Sequence, residues 1–224
     1  MNKINLDYMG KFYYSLVVKA GLNVIPVIGG ALASLLGDIQ SNRNEKRLKE
    51  FLNDFADKMT ERQNLIQKEF INDQEFLDVF INVVDSAMKQ RKSEKRILMR
   101  NLLINSITFP NSTYDMTEEF ERLLEDLCIE HIQILNVFYQ DRENMMKSPS
   151  SDIKRIETEI NKLNIDFTLK YASDYLDYIN DLENKNLIYG YVNNYHCQNG
   201  GVLFMGDSPY ITTKGETLIK YITD

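Results

Sequence analysis

Apolar residues recur at intervals of three and four along most of this chain, with charged residues between them. This spacing places the apolar side chains on one face of an α-helix and therefore predicts a mainly α protein. The predicted helices cover residues of about 4–20, 26–39, 44–71, 75–87, 93–107, 117–127, 132–138, 152–163, 169–184 and 214–222.

Several of the predicted helix ends follow from residues that begin or stop helices. Asn72 and Glu75 have the spacing of a capping box, and Ser93 is expected to cap the next helix. Pro110 cannot continue a helix, so the segment around it should end one. Thr117, followed by two glutamates, is expected to begin the helix that runs to Leu127.

The pattern changes near the C-terminal end, where tyrosine and β-branched residues surround an Asn-Gly-Gly sequence. We expect a hairpin with strands near 187–192, 202–205 and 210–213 and a turn over residues 193–201. Three helices followed by such a β-ribbon are typical of a winged helix. The sequence thus predicts an N-terminal helical bundle over residues 1–127 and a C-terminal winged-helix-like domain with a small β-hairpin over 128–224.

The run from Ala20 to Gly37 contains no charged side chain. After its proline, small residues recur at a spacing that lets another helix approach closely. Membrane helices pack against each other in the same way. The proline leaves a helix of about 14 residues near 26–39, which is short for a bilayer. We expect this helix to pack in a core, and insertion into a membrane or dimerisation are the alternatives. The residues expected to form the contact are Pro26, Gly29, Gly30, Ala33, Ser34 and Gly37.

A second notable segment is the basic sequence KQRKSEKR at residues 89–96, which spans the junction between two predicted helices. A solvated junction explains it most simply. Its cations also make it the best candidate in the sequence for contact with a phosphate, nucleic acid or lipid anion. These candidate anion-contacting residues are Lys89, Arg91, Lys92, Lys95 and Arg96.

The overall charge argues against nucleic acid as the partner. The net charge is −7, and the predicted recognition helix carries Asp174, Asp177 and Asp181, which would repel phosphates. A winged helix that binds protein is therefore the better interpretation. Asp7, Lys11 and Lys19 break up the first apolar stretch, so we expect no secretory signal and a cytoplasmic protein with reduced cysteines.

Enzymatic chemistry finds little support in the sequence. No phosphate loop, metal-binding spacing or serine-nucleophile motif is present, and no catalytic, cofactor-binding or metal-binding residue is predicted. His196 and Cys197 are the only adjacent pair of a base and a thiol, but neighbours in a strand point to opposite faces. His131 stands at the start of a predicted helix, where we expect a capping or core histidine.

Three segments together resemble the bacterial abortive-infection alpha family. They are IPVIGGALASLLGDIQSNRNEKRLKEFL near the start, FLDVFINVVDSAMKQRKSEKRILMRNLLINSI in the middle, and the winged-helix-like ending with YITTKGETLIKYI. The resemblance covers most of the chain and implies a non-enzymatic antiphage effector or accessory protein. Such a protein would act through a protein partner or homo-oligomer, with recruitment to the inner membrane and membrane disruption as one mode. The alternative is a soluble adaptor whose winged-helix-like domain binds a protein partner.

Overall fold

A computed structural model describes residues 42–67, 74–145, 149–163, 165, 175–190, 195–198, 201–204 and 209–223. The fold is mainly α, as the apolar spacing predicts, and these residues form eight α-helices and a short 3-10 helix at Gln63–Leu65. The α-helices are α1 (Asn42–Glu61), α2 (Gln74–Lys89), α3 (Ser93–Thr108), α4 (Tyr114–Asp126), α5 (Ile129–Met145), α6 (Pro149–Lys162), α7 (Tyr175–Asn184) and α8 (Thr213–Ile222).

The chain divides into two compact units. Unit 1 comprises Met1–Asp126 and Tyr221–Asp224, and unit 2 comprises Leu127–Lys220. Among the described residues, no helix is both long enough and apolar enough to cross a membrane. The predicted helices at 4–20 and 26–39 lie outside the described residues.

Unit 1 is built around α3, which is buried along nearly all of its length from Met99 to Thr108. Helices α1, α2 and α4 pack on it, and α2 also packs on α4. The rings of Phe55 and Phe80 meet edge to face with centroids 5.5 Å apart. Burying apolar side chains of this size contributes about 1.5–3 kcal/mol each, so this core is the main source of the unit's stability.

Two buried asparagines one helical turn apart on α3 bind the end of the chain. Asn105 Nδ2 donates hydrogen bonds to the carbonyl oxygens of Tyr221 (2.8 Å) and Thr223 (2.9 Å), and its Oδ1 accepts one from Arg62 (2.6 Å). Asn101 Nδ2 donates to the carbonyl oxygen of Ile222 at 3.0 Å. The last carbonyls of a helix lack partners within it, and these amides satisfy them.

Unit 2 packs α6 and α7 against α5, and its four short strands form two antiparallel pairs. Strand β1 (Ile188–Tyr189) pairs with β4 (Tyr210–Ile211), and β2 (Tyr195–Gln198) pairs with β3 (Gly201–Phe204). Both pairings are centred between residues 199 and 200, so the four strands share the register of one hairpin. The predicted hairpin is confirmed, but β2 occupies much of the segment that was predicted as a turn.

Several predicted helix boundaries are wrong. The helix predicted over 44–71 ends at Glu61, and Leu65, placed in its apolar stripe, is 62% exposed. Helix α3 begins at Ser93, and its preceding residue has no side-chain cap, so Ser93 is not the predicted cap. Helix α4 begins at Tyr114 rather than Thr117, because the hydroxyl of Thr113 accepts the backbone N–H of Met116 and caps the helix earlier.

Other predicted boundaries are confirmed. Helix α3 ends at Thr108, just before the segment that contains Pro110. The closing helix lies over Thr213–Ile222. The capping residue Asn72 and residues 169–174 of the predicted recognition helix lie outside the described residues.

Candidate functional site

The basic junction between α2 and α3 is only partly a free cationic surface. Lys89 is exposed and forms an ion pair with Asp85, with Nζ 2.8 Å from Oδ2. The hydrogen bond to Asp85 is the main cause that raises the pKa of Lys89, and the charges of Glu125 and Glu121 add to it. This lysine therefore stands in an acidic environment, which weakens its attraction for an outside anion.

Two other cations of the junction have structural roles. Lys95 is buried and donates from Nζ to the carbonyl oxygen of Glu125 at 3.1 Å, near the end of α4. Arg96 donates to the carbonyl oxygens of Gln90 (3.1 Å) and Arg91 (3.3 Å) and so holds the connection between the helices. The structure thus separates the five predicted anion-contacting residues, of which Lys89, Arg91 and Lys92 are exposed.

A buried serine joins two carboxylates beside this junction. The Ser86 hydroxyl on α2 lies within hydrogen-bonding distance of Glu121 Oε1 and is 2.7 Å from Glu125 Oε1, both on α4. Ser86 and Glu121 are less than 10% exposed. A hydroxyl can donate only one hydrogen, and it couples α2 to α4 whichever carboxylate accepts it.

The six small residues at the predicted packing face of the first apolar run, Pro26, Gly29, Gly30, Ala33, Ser34 and Gly37, lie outside the described residues. Packing in a core, insertion into a membrane and dimerisation remain predictions for them.

A different cluster, which the sequence reasoning missed, lies at the start of α5 in unit 2. Cys128 immediately precedes the helix, and the side chain of His131 folds back so that its Nδ1 accepts the backbone N–H of Cys128 at 3.1 Å. A residue three positions after a helix cap makes the same contact in a capping box, where it is usually Glu or Gln. The predicted capping role of His131 is confirmed.

The same histidine also joins a thiol to a carboxylate. Cys128 carries a thiol whose Sγ lies 2.9 Å from His131 Nδ1. On the opposite side of the ring, Nε2 lies 3.2 Å from Oδ2 of Asp181 on α7. The Asp181 carboxylate also pairs with Lys185, at 3.4 Å from its other oxygen, and is therefore held in place on both sides.

The surroundings of the imidazole restrict its movement. The His131 side chain is 13% exposed, and the ring of Tyr178 meets it edge to face with centroids 4.7 Å apart. The thiol and the carboxylate face different ring nitrogens, so the three groups form a chain and not a shared ligand set. Consistent with this, the described part of the chain contains no group of three or more His, Cys, Asp or Glu residues able to hold a metal ion.

Unit 2 also presents polar and aromatic surface. Tyr189 and Tyr210 face each other across β1 and β4, 53% and 46% exposed, with ring centroids 5.4 Å apart. Helix α7 buries Tyr178, Ile179 and Leu182 and leaves Asp177 exposed. His196 and Cys197 occupy consecutive positions of β2, opposite Leu203 and Val202.

Comparison with known proteins identifies no relative: no protein-family model, curated protein or solved structure matches the chain. The resemblance to the abortive-infection alpha family therefore stays a prediction from sequence.

Proposed function

We propose that this protein is a non-enzymatic bacterial antiphage protein of the abortive-infection type, and that unit 2 is a winged-helix-like module that binds a protein partner. Three helices, a β-hairpin and a closing helix in this order support the winged-helix interpretation. The exposed pair Tyr189 and Tyr210 on the hairpin is the observation that carries the proposal. Tyrosine is enriched in protein interfaces because it offers a large apolar contact area together with a hydrogen-bonding group.

The charge of α7 supports a protein partner over DNA. Helices that read DNA bring arginine or lysine to the bases, whereas α7 has Asp177, Asp181 and Glu183 and its described residues contain no cation. Tyrosine rings and carboxylates both attract arginine and lysine. We therefore expect the partner to present a basic segment to this module.

The test replaces Tyr189 and Tyr210 together by serine. We expect the double variant to fold normally but to lose most of the protection that the wild type gives to cells challenged with phage, measured as plating efficiency. Ile97→Ser is the matched control, because it removes another exposed apolar side chain (42% exposed) from unit 1. Full protection by the double variant would count against the hairpin as the partner site.

A second candidate function is disruption of the inner membrane, and the uncharged run from Ala20 to Gly37 favours it. In this proposal a trigger releases the helix near 26–39 so that it self-associates or enters the bilayer. Replacing Gly29, Ala33 and Gly37 by leucine would block close helix contact. We expect the triple variant to preserve membrane potential during infection, whereas unchanged depolarisation would contradict the small-residue contact.

A further inference from the structure

The cluster of Cys128, His131 and Asp181 goes beyond a helix cap. Capping needs only the contact between the Cys128 N–H and the imidazole, yet the structure adds a thiol on one side of the ring and a carboxylate on the other. Thiol, imidazole and carboxylate in this order form the arrangement in which a base takes the thiol proton and a carboxylate stabilises the resulting imidazolium.

We propose that Cys128 is a nucleophilic thiol that is oxidised by hydroperoxides to a sulfenic acid, a stoichiometric modification site independent of the function proposed above. Three features of the described residues carry the proposal. The thiol is 2.9 Å from a basic nitrogen, the second nitrogen of that ring is 3.2 Å from a carboxylate, and the cysteine is partly exposed. Its position at the N-terminus of the 17-residue helix α5 also favours negative charge on sulfur.

The reaction balances with these residues and one peroxide molecule. His131 Nδ1 takes the thiol proton, and the thiolate sulfur attacks one peroxide oxygen, forming an S–O bond as the O–O bond breaks. The leaving oxygen takes the electron pair and receives the proton from the imidazolium, which releases water, or an alcohol from an organic peroxide. Sulfur is oxidised by two electrons, the peroxide is reduced by two, and Cys128 becomes a sulfenic acid.

A hydroperoxide suits this site better than a bulky electrophile. The thiol is only partly exposed, and hydrogen peroxide is small. Its leaving hydroxide also needs a proton, which the adjacent imidazolium can supply at the reacting atom. Asp181 acts as a positioning residue: it accepts the Nε2 hydrogen and thereby directs Nδ1 toward the sulfur.

The charged groups around the ring allow this proton transfer. Asp181 faces Nε2 and is shared with Lys185, and Glu130 lies next to His131 in α5. Tyr178 from α7 contributes a ring edge. Asp181 is therefore placed to stabilise the imidazolium that forms when His131 takes the thiol proton.

The test measures the reactivity of Cys128 in a Cys197→Ser background, so that a single thiol is followed. The first readout is the rate of alkylation by iodoacetamide between pH 5.5 and 9. An ordinary thiol ionises near pH 8.5, so its rate falls about tenfold for each pH unit below that value. We expect the alkylation rate of Cys128 to stay constant down to about pH 6.5. We also expect hydrogen peroxide to convert Cys128 to a sulfenic acid that dimedone traps.

His131→Gln is the decisive variant, because glutamine can still accept the Cys128 N–H in a capping box but is no base. At pH 6 a thiol without the imidazole is about 0.3% ionised. Full ionisation therefore raises the alkylation rate, but a thiolate of lower pKa is a weaker nucleophile, which offsets part of that increase. We therefore expect His131→Gln to lower the alkylation rate at pH 6 by about tenfold or more and to restore the ordinary slope. Its thermal unfolding midpoint should match that of the parent protein.

Asp181→Asn gives an independent check, since asparagine keeps an oxygen acceptor for Nε2 but removes the charge. We expect a smaller reduction in rate and a plateau that ends at higher pH. The proposal is overturned if Cys128 in the parent protein shows the slope of an ordinary thiol, if dimedone traps no sulfenic acid, or if His131→Gln folds normally and reacts as fast as the parent.

Discussion

Gly215 lies in the first turn of α8, where the structure reverses the usual effect of replacing a helical glycine by alanine. Alanine is the better helix former by about 1 kcal/mol, so propensity alone predicts that Gly215→Ala stabilises the protein. A Cβ atom built at this position would lie 2.1 Å from the carbonyl oxygen of Leu187 and 2.8 Å from Cγ1 of Ile211. The first of these neighbours is backbone, which cannot rotate away.

The expected loss of stability follows from the backbone movement that the added methyl group requires. Non-bonded atoms prefer separations of about 3.5 Å, so α8 and the residue before β1 must separate by more than about 1 Å. That movement breaks the hydrogen bond from the Thr212 N–H to the Leu187 carbonyl oxygen (3.0 Å). It also disturbs the bond of the Thr212 hydroxyl, which lies 2.7 Å from the Asn186 carbonyl oxygen and 3.1 Å from that of Leu187, and each bond is worth about 1 kcal/mol. Overpacking adds about 1–3 kcal/mol. After the gain in propensity, we expect a net loss of about 2–4 kcal/mol.

Urea unfolding followed by circular dichroism and tyrosine fluorescence measures this loss, since the chain has no tryptophan. Because there are two compact units, amide exchange of Leu218 and Ile219 identifies the transition that contains α8. A loss of this size lowers the melting temperature by about 5–15 °C. Thr217→Ala on the same helix is the control and should change stability little. A Gly215→Ala protein as stable as the wild type would contradict the expected clash with the Leu187 carbonyl oxygen.

Three further predictions concern unit 1. Asn105→Asp should lower the free energy of unfolding by about 2–4 kcal/mol in urea titrations, because a carboxylate oxygen would face carbonyl oxygens that now receive N–H groups; an unchanged midpoint would contradict this. Burial raises the pKa of Tyr221, and the hydrogen bond with Ser112 opposes this increase. As the pH rises, the unfolded chain therefore loses the Tyr221 proton before the folded protein does, so stability should fall above about pH 10. Tyr221→Phe should make that decline shallower, and equal declines would argue against this origin. If the junction binds anions, replacing the exposed Arg91 and Lys92 by serine should reduce the fraction of protein that sediments with anionic vesicles at low salt, without loss of stability. Equal sedimentation of the variant and the wild type would contradict anion binding by these two residues.

Apolar spacing predicted the described α-helices well because their buried apolar side chains recur at intervals of three and four in the local sequence. The ends of the helices were less predictable. Leu65 continues the apolar period of α1, yet the helix stops at Glu61 and the next residue, Arg62, donates to Asn105 on α3. That contact joins positions far apart in the sequence, so the local pattern could not reveal it.

The thiol cluster shows the same division between local and distant information. Cys128 and His131 are three residues apart at the start of a helix, and this spacing was readable from the sequence because such residues lie on neighbouring positions of one face. The third member, Asp181, comes from α7, and only the packing of α7 against α5 brings it to the ring. Sequence reasoning considered adjacent pairs of base and thiol and so examined His196 and Cys197 instead.

The two roles of His131 oppose each other, and the opposition makes the proposed thiol chemistry sensitive to the state of α5. As a cap, Nδ1 must keep its lone pair to accept the Cys128 N–H; as a base, it must take up the thiol proton and lose that hydrogen bond. The thiolate left behind stands at the N-terminus of the helix, where a negative charge stabilises it by about 0.3–1 kcal/mol. Ionisation therefore exchanges the neutral imidazole cap for a thiolate at the same end of the helix. A bound partner that tightens or loosens the first turn of α5 would shift this balance and with it the rate at which Cys128 reacts.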